Sequence, residues 1–141
     1  MQKLLLGFLL IGTLATFSTL TSCKKGDSAL TTEQKIVGKW SLDVAYFDYH
    51  FLGITQKDTI TDSPGTYLQF NADGTTTASD GSEATAGTWK LTDNKLIVTE
   101  NNSDDPAMSY DIQKITSNEL HLYNKEVEGE DYVEVTLRLK K

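Results

Sequence analysis

Apolar and polar residues alternate most regularly in two stretches, one beginning near residue 38 and one ending near residue 139. The apolar positions are Trp40, Leu42, Val44 and Tyr46 in the first stretch, and Val133, Val135, Leu137 and Leu139 in the second. Side chains two positions apart share one face of a β-strand, so each stretch predicts a long strand with one buried face.

Shorter apolar runs lie between these two stretches and are separated by turn residues. The clearest turns are Asn71–Gly74, Asp93-Asn94, Ser117-Asn118 and Glu128–Glu130. Successive hairpins without crossover helices favour an antiparallel meander of eight or nine short strands. We therefore predict an all-β fold, a small antiparallel up-and-down barrel of about eight strands, which is closed by pairing of the first and last strands.

A short helix is predicted before the first strand. Glu33–Val37 follows two threonines, Thr31 and Thr32, either of which can cap a helix, and Gly38 ends it.

The apolar faces of the strands should point into the barrel. They form its core and are our candidates for the lining of a ligand cavity: Trp40, Leu42, Val44, Leu68, Phe70, Trp89, Leu91, Ile112, Leu122, Val135 and Leu137. Three other aromatic residues, Phe47, Tyr67 and Tyr123, fall on the opposite faces. They are either scattered surface residues or, if clustered, a contact surface for a partner.

The N-terminal pattern differs from the rest of the chain. Lys3 precedes an apolar run over residues 4–15, which has the length of a signal-peptide core and is short for a membrane span. The run leads to Leu20-Thr21-Ser22-Cys23, the bacterial lipobox pattern of an aliphatic residue, two small residues and a cysteine. We expect residues 1–22 to be a signal peptide that is cut between Ser22 and Cys23, with lipid attached to the Cys23 thiol.

This assignment sets the domain organisation and the location. Residues 23–31 are predicted to be a lipid-anchored tether, and residues 32–141 to be the barrel domain. Lys24 stands where an aspartate would favour retention at the inner membrane, so we expect the protein in the cell envelope, anchored to the outer membrane on either face.

Charge and composition exclude several classes of partner and site. The chain carries 20 acidic and 13 basic residues, a formal net charge of -7, so it should be repelled by nucleic acid. Cys23 is the only cysteine, which rules out an internal disulfide and a cysteine-based zinc site. The two histidines, His50 and His121, lie in no metal-hydrolase motif, and no nucleophile elbow or phosphate loop occurs. We expect no catalysis, no metal and no cofactor.

Three motifs in order resemble the lipocalin-like lipoproteins of Bacteroidota. They are Ile36-Val-Gly-Lys-Trp40, Leu68-Gln-Phe-Asn-Ala-Asp-Gly-Thr75 and Gly87-Thr-Trp-Lys-Leu91. In that family a Gly-x-Trp opens the first strand, and a Phe-x-x-Asp-Gly-Thr hairpin is followed by Gly-Thr-Trp. The resemblance covers roughly residues 34–141. It implies a small barrel that binds ligands outside the cytoplasm, with Trp40 packed across one end.

Two functions follow from this reading. The first is a monomeric, lipid-anchored binding module that holds a small apolar ligand inside the barrel. The alternative is a structural or assembly lipoprotein with a solid barrel, whose outer surface binds an envelope protein. An open cavity with a few polar groups favours the first function, and a filled interior favours the second.

Overall fold

The computed structural model describes residues 30–61 and 63–141, and over these residues it shows one short helix followed by nine strands. The elements are α1 (Thr32–Ile36), β1 (Gly38–Phe51), β2 (Ile54–Thr61), β3 (Thr66–Phe70), β4 (Thr75–Asp80), β5 (Ala84–Thr92), β6 (Lys95–Glu100), β7 (Met108–Ile115), β8 (Glu119–Glu128) and β9 (Asp131–Lys140). The predicted signal peptide, the cleavage site at Ser22 and Cys23, the lipid site at Cys23 and tether residues 23–29 lie outside the described residues.

Eight of the strands close into an antiparallel barrel. Neighbouring strands pair in the order β1-β3-β4-β5-β6-β7-β8-β9, and β9 returns to pair with β1 along most of its length. The predicted all-β barrel with paired first and last strands is therefore confirmed.

Strand β2 lies outside the closed barrel. The first part of β1, Gly38–Ser41, pairs with β3, whereas its second part, Val44–Phe51, pairs with β2. β1, β2, β8 and β9 thus form a four-stranded sheet that projects beyond one end of the barrel. The hairpin turn between β1 and β2 is the tip of this projection.

A β-bulge in β1 changes the predicted alternation. Leu42 lies opposite Leu139, but the register shifts before Val44, which lies opposite Arg138, and Ala45 takes the place opposite Leu137. Ala45 and Phe47 therefore share the inner face with Leu42, whereas Val44 moves to the outer face. The prediction that Phe47 faces away from the core is wrong for this reason, because one extra residue reverses every later side chain in the strand.

The helix forms as predicted and covers one end of the barrel. Thr31 caps it through a capping box, in which the Thr31 hydroxyl accepts from the Gln34 amide and the Gln34 side chain accepts from the Thr31 amide. Ile36, its one buried residue, joins the core beneath Trp40 and Phe70. We call this the closed end.

The core of the described residues lies inside the barrel. Its fully enclosed side chains are large and apolar, and all of them come from residues 36–139: Ile36, Trp40, Phe70, Leu96, Leu120, Leu122 and Leu139. The described part of the chain therefore has a hydrophobic core of its own, enclosed by the barrel strands and α1. The part of the chain that the structure describes contains no helix with the length and hydropathy needed to cross a membrane.

Candidate ligand-binding site

The two ends of the barrel are packed differently. At the closed end, two tryptophans fill the interior and each has its indole N–H satisfied: Trp40 Nε1 donates to the Ile36 carbonyl at 2.7 Å, and Trp89 Nε1 donates to the Asn71 carbonyl at 2.9 Å. Phe70 packs edge-on against Trp89 with ring centroids 5.6 Å apart. All three side chains of this aromatic layer are buried, and together they form a packed floor across the barrel.

Above this floor the interior opens into a cavity of about 160 Å³. We call its opening, at the end of the barrel opposite α1, the mouth. The apolar part of its wall comes from β3 to β7 and from the loop between β6 and β7. It includes Leu68, Ala78, Ala86, Gly87, Val98, Pro106 and Met108, with the ring of Tyr110. Leu68 pairs with Trp40 and Val98 pairs with Trp89, so the cavity rests directly on the tryptophan layer.

The cavity exists because β4 and β5 carry small side chains on their inner faces. Thr76 and Ala78 lie opposite Gly87 and Thr85 in the pairing of these strands. On the other strands the same face carries leucine, valine, methionine and aromatic residues. Four small residues side by side leave the volume that larger side chains would fill.

Gly87 is required by a close approach between strands. A Cβ atom at this position would lie 2.3 Å from the Thr99 carbonyl oxygen of β6, well inside van der Waals contact. Position 87 therefore has to remain glycine, and the cavity next to it stays free of a side chain from this position.

The lining is mostly apolar in area, and its polar side chains are those of Thr76, Thr85, Thr99, Glu100, Asp105 and Tyr110. The Tyr110 hydroxyl donates to Met108 Sδ at 3.1 Å, and a thioether sulfur is a weak acceptor that a ligand oxygen can replace. Burial, together with the nearby Glu126 carboxylate, raises the pKa of Tyr110 above 10.0, so this hydroxyl stays protonated at neutral pH. Glu100 follows Val98 by two residues and lines the rim with Asp105. No lysine or arginine is among the residues of this lining.

The turn between β4 and β5 borders the mouth and is organised by an ionised aspartate. The Asp80 carboxylate accepts from the Ser82 amide, the Ser82 hydroxyl and the Glu83 amide. These hydrogen bonds, led by that from the Glu83 amide, lower the pKa of Asp80 to about 2. Asp80 therefore carries a negative charge at the mouth throughout the physiological range.

The structure separates the eleven sequence-predicted lining residues into three groups. Five are buried in the core cluster: Trp40, Phe70, Trp89, Ile112 and Leu122. Four pack against that cluster: Leu42, Leu68, Leu91 and Leu137. The remaining two, Val44 and Val135, lie outside it. Leu68 is the one of these eleven that lines the cavity described above. A role for the others in ligand binding stays a prediction.

The residues missed by the sequence analysis are the small ones. The segments Thr75–Ser79 and Ala84–Gly87 contain no large apolar residue, although both are strands. In a barrel whose other strands alternate with large residues, such a pair of neighbouring strands marks a void. The two runs of small residues are visible in the sequence, but the positions of large apolar residues do not reveal them.

Titratable clusters give no sign of a metal centre. Within residues 30–61 and 63–141 no group of three or more His, Cys, Asp or Glu side chains is placed to hold a metal ion. His121 points away from the core and lies between Lys114 and Arg138 in the strand register. Its partial burial lowers its pKa below 6.5, and the positive charges of Lys114 and Arg138 lower it further.

The architecture is that of a lipocalin-like barrel, a fold that serves as a binding module and is generally non-catalytic. A family model for the lipocalin-like domain matches residues 36–122. The chain belongs to the lipocalin-like domain family.

Two solved structures of Bacteroides proteins superpose on part of this chain. A lipocalin-like protein of Bacteroides uniformis superposes with a TM-score of 0.49 at 16% identity, over 76% of this chain and 98% of that one. An uncharacterized protein of Bacteroides eggerthii superposes with a TM-score of 0.45 at 18% identity, over 74% of this chain and 98% of that one. No protein of curated function matches the sequence.

Proposed function

We propose that this protein is a lipid-anchored lipoprotein of the cell envelope whose barrel binds a small apolar ligand. The observation that supports this most strongly is the cavity between the tryptophan layer and the mouth, which has an apolar wall and a few polar groups at its rim. Concave, mostly apolar sites with a small number of placed polar groups are typical of small-molecule binding.

The volume sets the size of the bound group. A buried apolar cavity of about 150 Å³ accepts one benzene ring, so about 160 Å³ accepts one ring or a short alkyl segment. A larger ligand must leave part of its structure at the mouth. The proposed ligand is therefore a small apolar molecule, or the apolar end of a longer one.

The anchor and the mouth lie at opposite ends of the domain in this proposal. Helix α1 covers the closed end, and the tether precedes α1 in the chain. A lipid on Cys23 would hold the closed end towards the bilayer and turn the mouth away from it. The ligand would then enter from the aqueous side.

A cavity-filling substitution tests ligand binding. Ala78→Phe places a ring in the cavity, whereas Thr77→Phe adds the same ring on the outer face of the same strand. With residues 30–141, the neutral fluorophore N-phenyl-1-naphthylamine should bind saturably to the wild type and to Thr77→Phe, at micromolar concentration. Affinity should fall at least about tenfold in Ala78→Phe. Circular dichroism provides the folding control, and equal binding by a folded Ala78→Phe variant would contradict the site.

A second candidate function, the binding of an envelope protein through the outer surface, is favoured by the tip of the β1–β2 hairpin. Phe51 is 51% exposed, Leu52 is 92% exposed and Ile54 is 71% exposed, so three large apolar side chains of this tip are at least half in solvent. Exposed apolar groups that cluster at one point are a common feature of contact surfaces. If the fluorophore does not bind the wild type, this assembly function becomes the preferred one.

A further inference from the structure

The charges of the domain are divided between its two ends. We take the mouth half as residues 46–61, 63–68, 78–85, 99–110 and 123–136, and the closed half as residues 30–45, 69–77, 86–98, 111–122 and 137–141. The mouth half holds twelve carboxylates and two lysines: Asp48, Asp58, Asp80, Glu83, Glu100, Asp104, Asp105, Glu126, Glu128, Glu130, Asp131 and Glu134, with Lys57 and Lys125. The closed half holds six acidic and eight basic residues: Glu33, Asp43, Asp73, Asp93, Asp111 and Glu119, with Lys35, Lys39, Lys90, Lys95, Lys114, Arg138, Lys140 and Lys141.

Both lysines of the mouth half are engaged with carboxylates of that half. Lys57 pairs with Asp48, and Lys125 Nζ lies 2.6 Å from Glu134 Oε1. These two pairs lie on the outer face of the projecting sheet, away from the cavity wall. The rim itself is therefore left with carboxylates, among them Glu100 and Asp105 on the lining.

This division matters because the cavity is too small to enclose a whole amphiphile. An alkyl or aryl group fills the space above the tryptophan layer, and the head group stays at the rim. Glu100 comes two residues after Val98 and is therefore the next side chain on the inner face of β6, closer to the mouth. A head group would emerge from the cavity at this level. A carboxylate at the edge of an apolar site attracts a cation and repels an anion more strongly than it would in water.

We infer that the barrel selects amphiphiles with a cationic head group, such as a primary or quaternary amine, whose apolar part enters the cavity while Glu100 holds the head. This inference rests on the proposed ligand-binding function and specifies the chemical class of its ligand. It also indicates that fatty acids and other anionic amphiphiles are poor ligands. The negative mouth would in addition draw cationic ligands in from solution.

A matched series of eight-carbon probes tests the inference. Octanol, octylammonium and octanoate share one alkyl chain and differ in head-group charge at pH 7, and calorimetric titration of residues 30–141 measures the affinity of each. We expect octylammonium to bind at least about tenfold more tightly than octanoate, with octanol between them. The difference should shrink as salt rises from about 20 mM to about 500 mM, since salt screens exposed charges.

Two charge variants locate the effect. Glu100→Gln removes the rim carboxylate and should reduce the preference for octylammonium over octanoate several-fold, with little change in octanol affinity. Asp93→Asn removes the same charge from the β5–β6 turn at the closed end and should leave the preference unchanged. Asp93 has a positive φ of 49°, a conformation that asparagine also accepts, so this control should preserve the fold.

The outcomes separate this inference from the function on which it rests. The cavity would be overturned as the binding site if octanol did not bind the wild type and if octylammonium bound Ala78→Phe as tightly as it binds the wild type. Binding of octanol with equal or tighter binding of octanoate than of octylammonium would overturn the cationic selectivity and leave the cavity in place. An unchanged preference in Glu100→Gln would overturn the placement of the head group at Glu100.

Discussion

Replacing Trp40 by alanine should lower the free energy of unfolding by about 3–5 kcal/mol. The side chain is 0% exposed, lies at the centre of the closed end and donates its indole N–H to the Ile36 carbonyl. Its loss leaves a large void and an unsatisfied carbonyl. The Lys141 ammonium, which lies 4.5 Å from the Trp40 ring centroid, also loses its contact. For a domain whose total stability is about 5–15 kcal/mol, this is a large fraction.

Urea unfolding followed by circular dichroism measures the effect, and Phe51→Ala is the matched control. Phe51 is an aromatic residue of the same strand, but it lies at the exposed tip of the hairpin, so its truncation should change stability by about 0.5 kcal/mol or less. Similar effects of the two substitutions would contradict the description of the closed end as the packed floor of the barrel.

Replacing Cys23 by alanine should abolish both lipid attachment and membrane retention. Cys23 is the only thiol of the chain and ends the Leu20-Thr21-Ser22-Cys23 pattern, so no other side chain can accept a thioether-linked lipid. Since two or three acyl chains make release from a membrane negligible, the expected change is from fully bound to fully released. Metabolic labelling with a palmitate analogue, followed by membrane fractionation, measures both quantities.

Ser28→Ala is the control for this experiment. It replaces a side chain similar in size to that of cysteine with alanine in the predicted tether, outside the lipobox. This change should leave labelling and fractionation unchanged. Undiminished labelling of Cys23→Ala would remove the lipid anchor from the proposed function, but the cavity and its proposed ligand do not depend on it.

The elements of the fold could be predicted because local chemistry determines each of them. Thr31, one of the two threonines predicted as possible caps, caps α1. The Asp93-Asn94 turn joins β5 to β6 with a positive φ at both residues, 49° and 65°. Closure of the barrel followed from the two regular terminal strands, since a meander of this length would otherwise leave edges that can pair with other chains.

Other features could not be predicted, because they depend on how strands meet across the barrel. The bulge at Leu42 and Val44 adjusts the register of β1 to β9, and nothing in the local sequence of β1 distinguishes it from an uninterrupted strand. Beyond the bulge, β1 continues to Phe51 and pairs with β2.

The cavity could not be predicted either, because apolar alternation does not identify empty space. Apolar alternation identifies the residues that fill space, such as Trp40 and Phe70, which lie in the packed floor. A binding space depends on the small residues between them. Thr76, Ala78 and Gly87 become informative only once their strands are known to be neighbours on one inner face.

The most direct test of ligand binding at the mouth is a methyl NMR titration of residues 30–141 with octanol. The methyl groups of Leu68, Ala78, Val98 and Met108 line the cavity, whereas those of Ile36, Leu120 and Leu139 lie in the packed core. We predict saturable shifts, with one common dissociation constant, that are largest in the cavity group and small in the core group. An absence of shifts up to the solubility limit of octanol, or shifts confined to the exposed tip at Leu52 and Ile54, would contradict the proposed site.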